Sequence, residues 1–329
     1  MPYQLLQGGR RRRRRQLWPL VAAAVLAVAA ALGLARSVDE PTVATRPAPP
    51  GPLLESGTAP LAGGGTAPSP LAVRLDDPRD AVRLRFKRPP RSGLMFDVDT
   101  GRVLWRHRPE RVLTIASLTK MMTALVVVDR VPARATARIT AEALSYTGSG
   151  VGLLPRGKRV SVNALLHGLL LPSGNDAAIA LALRAAGSVP QFVDLMNRRA
   201  QEMGLVCTRF SSVSGITDRG NHSCAPDLAA LGRAVLREPR LARIVRRRAT
   251  VLPFPIKGRK LYLYNNNPLL RSGYRGATGI KTGYTVAAGR CLVASAQRGR
   301  VRLGVVLLGS PDPAAQARRL LDRGFLRTR

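Results

Sequence analysis

Ser117 and Lys120 have the residue types and the spacing that covalent catalysis requires. They stand three residues apart in a segment with helical periodicity, so their side chains share one face. A serine hydroxyl becomes a nucleophile when a neighbouring base takes its proton, and a lysine with a lowered pKa can be that base. Arginine cannot replace it, because a guanidinium stays protonated in proteins. The pair predicts a serine nucleophile activated by an amine, although a capped amphipathic helix can carry the same residues.

A second polar group, Ser173-Gly174-Asn175, follows an apolar segment that ends at Leu171-Pro172. Another helical segment comes next, so the group is expected in a loop between two helices. A hydroxyl at Ser173 can relay a proton to a leaving amine, and the Asn175 amide can position a peptide. A helix N-cap with a turn uses the same residue types, so the group alone leaves both interpretations open.

A third group, Lys281-Thr282-Gly283, lies where strand-forming residues return after a helical stretch. Lys281 and Thr282 can hold a terminal carboxylate, and Gly283 lets a substrate backbone lie close to a strand. A lysine on an edge strand beside a bulge is the alternative interpretation.

The periodicity around these groups predicts the elements that position them. Alternating apolar residues around Asp99-Thr100-Gly101 indicate a β-hairpin, and two more strands flank a turn at 297–300. Strands near both ends with helices between them indicate an α+β fold, in which one antiparallel sheet is formed from both ends of the domain and a helical part is inserted. The predicted strands are 93–98, 102–106, 290–296 and 301–308, and the predicted helices are 114–128, 162–170, 176–186, 189–203, 226–236 and 313–323.

The N-terminal third predicts export. Six arginines at 10–15 precede an uncharged apolar stretch from Leu17 to Ala35, the pattern of a signal peptide or a short membrane anchor, and the sequence leaves both open. Residues 37–91 are rich in Pro, Ala and Gly and are expected to form a tether. The domain boundaries are therefore predicted at 1–36, 37–91 and 92–329, with the last part outside the cytoplasm.

The net charge of +34 comes from 53 basic and 19 acidic residues. Such an excess suggests nucleic acid, but the basic residues beyond 10–15 are spread thinly, so no nucleic-acid partner is expected. Contact with anionic wall polymers or lipid headgroups, or a bias toward arginine in the genome, explains the charge equally well.

Cysteines and histidines indicate no metal site. Cys207, Cys224 and Cys291 are not spaced as paired ligands, and the three histidines are scattered, so neither a metal nor another cofactor is expected. In an exported protein three cysteines permit one disulfide, and Cys207 with Cys224 is the favoured pair. Sequence separation cannot test that pairing.

In their order along the chain, the three polar groups resemble the S-x-x-K, S-x-N and K-T-G motifs of penicillin-recognising serine enzymes. The resemblance to low-molecular-mass serine D-alanyl-D-alanine carboxypeptidases covers about residues 92 to 325 and implies a β-lactamase/transpeptidase-like fold. The stretches that carry it are Met95 to Gly101, Ala116 to Leu125, Leu171 to Ala178, Gly279 to Tyr284 and Cys291 to Ala296.

The resemblance implies a role for each residue. Ser117 attacks the carbonyl of the penultimate D-alanine of a peptidoglycan stem peptide, Lys120 accepts its proton and Ser173 protonates the leaving D-alanine. The backbone amides of Ser117 and Tyr284 form the oxyanion hole. The remaining positions bind the substrate, namely Asn175, Lys281, Thr282 and Gly283. β-Lactam antibiotics are expected to acylate Ser117, and any attachment to the bacterial membrane comes from the N-terminal segment if it is uncleaved.

Four alternatives compete with this function. A β-lactamase shares the motifs but needs a glutamate-activated water, and Glu202 and Glu238, the only glutamates between Ser173 and Lys281, lie in no matching motif. A D,D-endopeptidase or transpeptidase uses the same residues. A catalytically inactive cationic wall-binding protein is disfavoured by the intact motifs, and a Ser-His-Asp hydrolase by the lack of a recognisable triad.

Overall fold

Eleven strands and nine α-helices make up the described part of the chain, residues 69–76, 80–216 and 219–328 of the computed structural model. The strands are β1 (Ser92–Asp97), β2 (Val103–His107), β3 (Leu113–Thr114), β4 (Thr136–Arg138), β5 (Arg159–Ser161), β6 (His222–Ser223), β7 (Ala249–Pro253), β8 (Lys260–Tyr264), β9 (Ala277–Thr285), β10 (Gly289–Arg298) and β11 (Val301–Leu308). The helices are α1 (Lys120–Arg130), α2 (Ala141–Leu144), α3 (Val162–Leu170), α4 (Asn175–Ala186), α5 (Val189–Glu202), α6 (Ala225–Arg237), α7 (Pro239–Val245), α8 (Pro268–Arg271) and α9 (Pro313–Arg327).

The main sheet has the strand order β2-β1-β11-β10-β9, and each neighbouring pair is antiparallel. The N-terminal hairpin therefore pairs with the C-terminal strands, through Ser92 opposite Leu308 at one end and Asp97 opposite Leu303 at the other. The prediction of an α+β fold with one sheet formed from both ends of the domain is confirmed. Because β9 is an edge strand, one side of it is left open to receive a ligand.

Both faces of the central strands are buried, which explains the consecutive apolar residues of β1, β11 and the middle of β10. Successive residues of β10 point to opposite faces: Val293 packs in the core beneath the helical part, whereas Leu292 and Ala294 pack in the core beneath α9. The domain is thus layered as α9, sheet and helical part. The layering fixes the strand register, because a one-residue slip would exchange the two cores.

The predicted helices are present, with ends that differ by a few residues. The largest difference is at the first helix, where a 3-10 turn at Ala116–Thr119 precedes α1. Several short elements were not predicted: α2, α7, α8 and the two-stranded sheets β3–β6, β4–β5 and β7–β8. Around α7, arginines at 240, 243 and 246–248 interrupt the apolar pattern.

Part of the predicted tether packs against the domain. The Val82 amide donates a hydrogen bond to the Leu104 carbonyl, the Trp105 indole donates to the Leu84 carbonyl, and Asp80 forms an ion pair with Arg106 at 2.8 Å. Ordered packing thus begins before Ser92 in the described residues. The export segment and residues 37–68 lie outside them, so those assignments stay predictions.

No single helix within the described ranges is long and apolar enough to cross a membrane. Helices α4 and α5 reach the length and apolar composition of a membrane span only when they are taken together, and they are bent by 84° relative to each other.

A disulfide links Cys207 and Cys224, the pair favoured from the sequence. It ties the loop after α5 to the start of α6, and Asp227 of α6 accepts a hydrogen bond from the Cys207 amide at 2.8 Å. Cys291 is buried in β10.

Candidate active site

Ser117 lies on the 3-10 turn between the sheet and α1. Residues three apart in a 3-10 turn eclipse one another, so the turn aligns Ser117 with Lys120 more directly than an α-helix would. Ala116, immediately before the serine, has φ 48°, in the left-handed region that non-glycine residues rarely occupy. Backbone strain of this kind is concentrated at functional sites, where the surrounding structure maintains it.

The loop over this turn is held close by Gly215. This residue has φ +76°, and a Cβ built on it would lie 1.9 Å from the Ala116 carbonyl oxygen. Only glycine fits there. The close approach brings the carbonyl of Ser214 to the amine of Lys120, at 2.7 Å from Nζ.

The Lys120 amine is completely buried and has three hydrogen-bond partners. Its Nζ lies 2.9 Å from Ser117 Oγ, 2.6 Å from Asn175 Oδ1 and 2.7 Å from the Ser214 carbonyl oxygen. The last two atoms can only accept hydrogen bonds. A neutral amine satisfies both with its two N–H groups, and its lone pair is then directed at the Ser117 hydroxyl.

The surroundings of Lys120 favour this neutral form. Burial lowers its pKa well below the ordinary value of a lysine, and the like charge of Lys281 lowers it further. The Asp176 carboxylate opposes both effects. That carboxylate is itself engaged by backbone amides, those of Val151, Gly152 and Ala177.

Asn175 is the first residue of α4, and both ends of its side-chain amide are used. Oδ1 accepts from Lys120, and Nδ2 donates to the Thr147 carbonyl. The backbone amide of Asn175 donates to the Ser149 carbonyl at 2.7 Å. The residue therefore orients the lysine and fixes the loop on the opposite wall of the site.

Ser173 lies in the turn between α3 and α4, as the sequence predicts. Its backbone has φ 72°, a second strained non-glycine residue in the site. The side chain is 6% exposed, and Oγ has no hydrogen-bond partner among the described residues. A buried hydroxyl without a partner is costly, so this oxygen is available to a bound substrate or water.

Strand β9 forms another wall. A Cβ built on Gly283 would lie 3.1 Å from the Ser117 backbone nitrogen and 3.0 Å from the Ile115 carbonyl oxygen, so a larger residue would push the strand away from the nucleophile. Lys281 on this strand is 1% exposed, and burial lowers its pKa to about 7. Its Nζ donates to the Thr282 carbonyl at 2.8 Å.

A cavity of about 320 Å³ opens between these walls. Of the predicted site residues it is lined by Ser117, Ser173, Thr282, Gly283 and Tyr284. Lys120, Asn175 and Lys281 lie behind this surface and are buried. All eight predicted residues are thus brought to one site, five at the cavity wall and three supporting it.

Four residues of the site were missed by the sequence analysis: Ser149, Ser214, Asn266 and Arg290. Ser149, Asn266 and Arg290 line the cavity, and Ser214 contacts Lys120. Arg290 stands opposite Tyr284 in the pairing of β10 with β9. Its guanidinium donates to the Pro311 carbonyl at 3.0 Å, and it is the one residue with a permanent charge among those that line the cavity. Small polar residues at 211–215 signal a loop, but nothing in the local sequence shows where that loop packs.

The arrangement can perform nucleophilic acyl transfer. A hydroxyl and a desolvated amine are in hydrogen-bond contact, a second hydroxyl borders the same cavity, and an edge strand can pair with an extended peptide.

The chain is similar in sequence and fold to known D-alanyl-D-alanine carboxypeptidases and a DD-transpeptidase. The D-alanyl-D-alanine carboxypeptidase family matches residues 89–312. The D-alanyl-D-alanine carboxypeptidase DacF of Bacillus subtilis is 34% identical over 243 residues, which cover 71% of this chain and 62% of the relative. Another carboxypeptidase, DacD of Escherichia coli, is 36% identical over 250 residues, with the same two coverages of 71% and 62%. This chain therefore spans less than two thirds of the length of these two relatives.

Two solved structures match the fold. The Streptomyces K15 DD-transpeptidase superposes with a TM-score of 0.70 at 30% identity, covering 74% of this chain and 100% of that one. A D-alanyl-D-alanine carboxypeptidase from Mycobacterium tuberculosis superposes with a TM-score of 0.69 at 31% identity, covering 74% of this chain and 94% of that one.

Proposed function

Because the chain belongs to the D-alanyl-D-alanine carboxypeptidase family, we propose that it removes the terminal D-alanine from peptidoglycan stem peptides through an acyl-enzyme on Ser117. The observation that carries the proposal is the contact of 2.9 Å between Ser117 Oγ and the Nζ of a completely buried Lys120. A buried amine without a carboxylate among its hydrogen-bond partners serves a structural purpose poorly but serves well as a base.

In the acylation half-reaction, Ser117 Oγ attacks the carbonyl carbon of the penultimate D-alanine while its proton passes to Lys120 Nζ. The negative charge on the carbonyl oxygen is stabilised by the backbone amides of Ser117 and Tyr284. The C–N bond then breaks, and the departing nitrogen takes a proton through the Ser173 hydroxyl. Lys120 returns to its neutral form, and an ester of Ser117 remains.

In the second half-reaction, water attacks the ester carbonyl and gives its proton to the same base, and Ser117 is regenerated. A class A β-lactamase uses a glutamate for this step, and no glutamate is among the described residues that line the cavity. Glu202 ends α5 and pairs with Arg199, and Glu238 caps α7. Slow release of a bulky β-lactam acyl group follows, which makes the protein a penicillin target and disfavours the β-lactamase alternative.

Two basic residues at the site, Lys281 and Arg290, differ in position and in charge. Lys281 lies behind the cavity wall with a pKa lowered to about 7, so it is only partly charged near neutral pH. Arg290 lines the cavity and stays charged. We assign the hydroxyl of Thr282 to hydrogen bonding with the carboxylate, Arg290 to holding its charge, and Lys281 to keeping the Lys120 pKa low and the strand in place.

The site of action follows from the substrate. Stem peptides ending in D-Ala-D-Ala are assembled into the wall outside the cytoplasm, in agreement with the predicted export segment at Leu17 to Ala35. We propose an extracytoplasmic enzyme, which is secreted if the N-terminal segment is cleaved and attached to the membrane by that segment if it is not. The retained or cleaved state of this segment is read directly from the N-terminus of the protein purified from its host.

The proposal is tested with the full chain and a short peptide ending in L-Lys-D-Ala-D-Ala. The wild type is expected to release one D-alanine per peptide over many turnovers, and Ser117→Ala is expected to release none. Adding an amino acceptor separates hydrolysis from transpeptidation, because a transpeptidase converts the same acyl-enzyme into a new peptide. Binding of peptidoglycan without release of D-alanine by folded protein would instead support the inactive wall-binding alternative.

A further inference from the structure

The stretch from 239 to 311 contains fifteen basic residues and no acidic residue. It covers α7, the β7–β8 sheet and strands β9 and β10. Protein surfaces usually intersperse positively and negatively charged side chains, which limits repulsion between like charges. Two of these basic residues, Arg298 and Arg302, form ion pairs with Asp322 and Asp99, which lie outside the stretch. The excess of positive charge is therefore sought among the others, around α7.

A cavity of about 580 Å³ borders this segment beside α7, and Arg240, Arg243 and Arg247 are among the residues that line it. Asn163 of α3 and Thr250 of β7 add neutral polar groups to the lining, and none of the lining residues is acidic. The cavity shares no residue with the one that contains Ser117.

The three arginines are not neutralised within the described ranges of the chain, where no salt bridge involves any of them. Arg243 donates to the Pro239 carbonyl, and Arg240 makes two long contacts of 3.5 Å to backbone carbonyls. Burial lowers the pKa of Arg240, and the Glu238 carboxylate opposes that shift. Glu238 also accepts a hydrogen bond from the Arg240 backbone amide, as the cap of α7. Arg243 and Arg247 are exposed.

A second concave surface of about 680 Å³ adjoins the first, with Asn163 and Leu252 common to both. It is lined by Arg159 and Arg259, again with no acidic residue. We define the arginine groove as these two surfaces together, with the five arginines Arg159, Arg240, Arg243, Arg247 and Arg259 along it.

We propose that the arginine groove binds a linear polymer that carries repeated phosphate groups. The planar guanidinium forms paired hydrogen bonds with phosphate oxygens, and several guanidinium groups along a concave track fit repeated phosphates better than a single anion. A flat lipid surface cannot reach the bottom of two concave surfaces, so an extended soluble chain is the better fit. Such a site would hold the domain on an anionic wall polymer while the Ser117 cavity stays open.

The test uses the full chain in a zwitterionic detergent and a short linear polyphosphate as the probe, with orthophosphate as the monomeric comparison. Arg243→Gln/Arg247→Gln removes two exposed charges from the groove. Arg323→Gln/Arg327→Gln on α9 removes the same charge elsewhere and is the matched control. Affinities are measured by titration calorimetry at several salt concentrations, and thermal unfolding verifies that each variant is folded.

The groove variant is expected to bind polyphosphate at least tenfold more weakly than the wild type, with a shallower salt dependence, while the control changes less than twofold. Arg159→Gln/Arg259→Gln should weaken polyphosphate binding but leave orthophosphate binding unchanged. Equal weakening by the groove and control variants would show that the charge acts diffusely and would overturn the proposal. Polyphosphate that binds no more tightly than orthophosphate would rule out a polymer site.

Discussion

Replacing Lys120 by a residue without a basic nitrogen should abolish acylation of Ser117 while leaving the fold in place. The lysine is the only hydrogen-bond partner recorded for the Ser117 hydroxyl in the described structure. Without it, the proton of the attacking serine has no acceptor. A positioned general base contributes roughly 10²- to 10⁴-fold to a rate, which corresponds to about 3–5 kcal/mol of the activation free energy.

The choice of replacement follows from the partners of the amine. Lys120→Met would leave the Asn175 and Ser214 oxygens without donors, at a cost of about 1–3 kcal/mol for each buried acceptor. Lys120→Gln keeps an N–H₂ group that can donate to these oxygens, yet its amide nitrogen is not basic. The glutamine variant therefore separates loss of the base from loss of stability.

The assay is the rate of benzylpenicillin attachment, followed by quenched-flow sampling and intact-mass spectrometry of the full chain. Lys120→Gln should acylate at least 100-fold more slowly than the wild type, with a thermal unfolding midpoint near that of the wild type. Acylation within tenfold of the wild-type rate by folded Lys120→Gln would refute the assignment of Lys120 as the base.

Three further changes have directions fixed by the structure. Arg290→Gln should raise KM for a peptide with a free terminal carboxylate about 10- to 100-fold, which corresponds to the loss of one charge-assisted hydrogen bond. The KM of a peptide with an amidated C-terminus should not change. Arg300→Gln in the β10–β11 turn is the control. The free energy of unfolding of the wild type should rise from about pH 7 upward, because folded Lys281, with a pKa of about 7, binds fewer protons than the unfolded lysine. Urea titrations at pH 7 and 9 measure this rise. An unchanged rise in a Lys281→Met variant would contradict the prediction. Cys207→Ser/Cys224→Ser should lower the free energy of unfolding in urea by about 3 kcal/mol, and a loss below 1 kcal/mol would indicate that the loop is ordered without the disulfide.

What the sequence predicts well is local. Ser117 and Lys120 are three residues apart, so any helical backbone brings them together, whether it is the predicted α-helix or the observed 3-10 turn. The hairpin around Gly101 and the apolar run of β11 are likewise properties of a few consecutive residues. These elements depend little on the rest of the chain, and the structure reproduces them.

What the sequence does not predict depends on distant packing. Ser214 reaches Lys120 across 94 positions, and the fit of Gly215 over Ala116 exists only once the domain is folded. Arg290 belongs to a strand that was recognised as apolar, but its place at the cavity is set by pairing with β9. Tertiary packing also decides that Lys281 is buried behind the cavity wall, which the sequence does not show, and its role as a ligand of the substrate carboxylate stays a prediction.

The acyl-enzyme on Ser117 is tested most directly by the intact mass of the full chain after exposure to benzylpenicillin, with Ser117→Ala treated in parallel. If Ser117 is the nucleophile, the wild type carries one stable benzylpenicilloyl adduct and the variant carries none. An adduct on both proteins, or none on folded wild type without hydrolysis of the antibiotic, would contradict it, and rapid hydrolysis without an accumulating adduct would identify a β-lactamase instead.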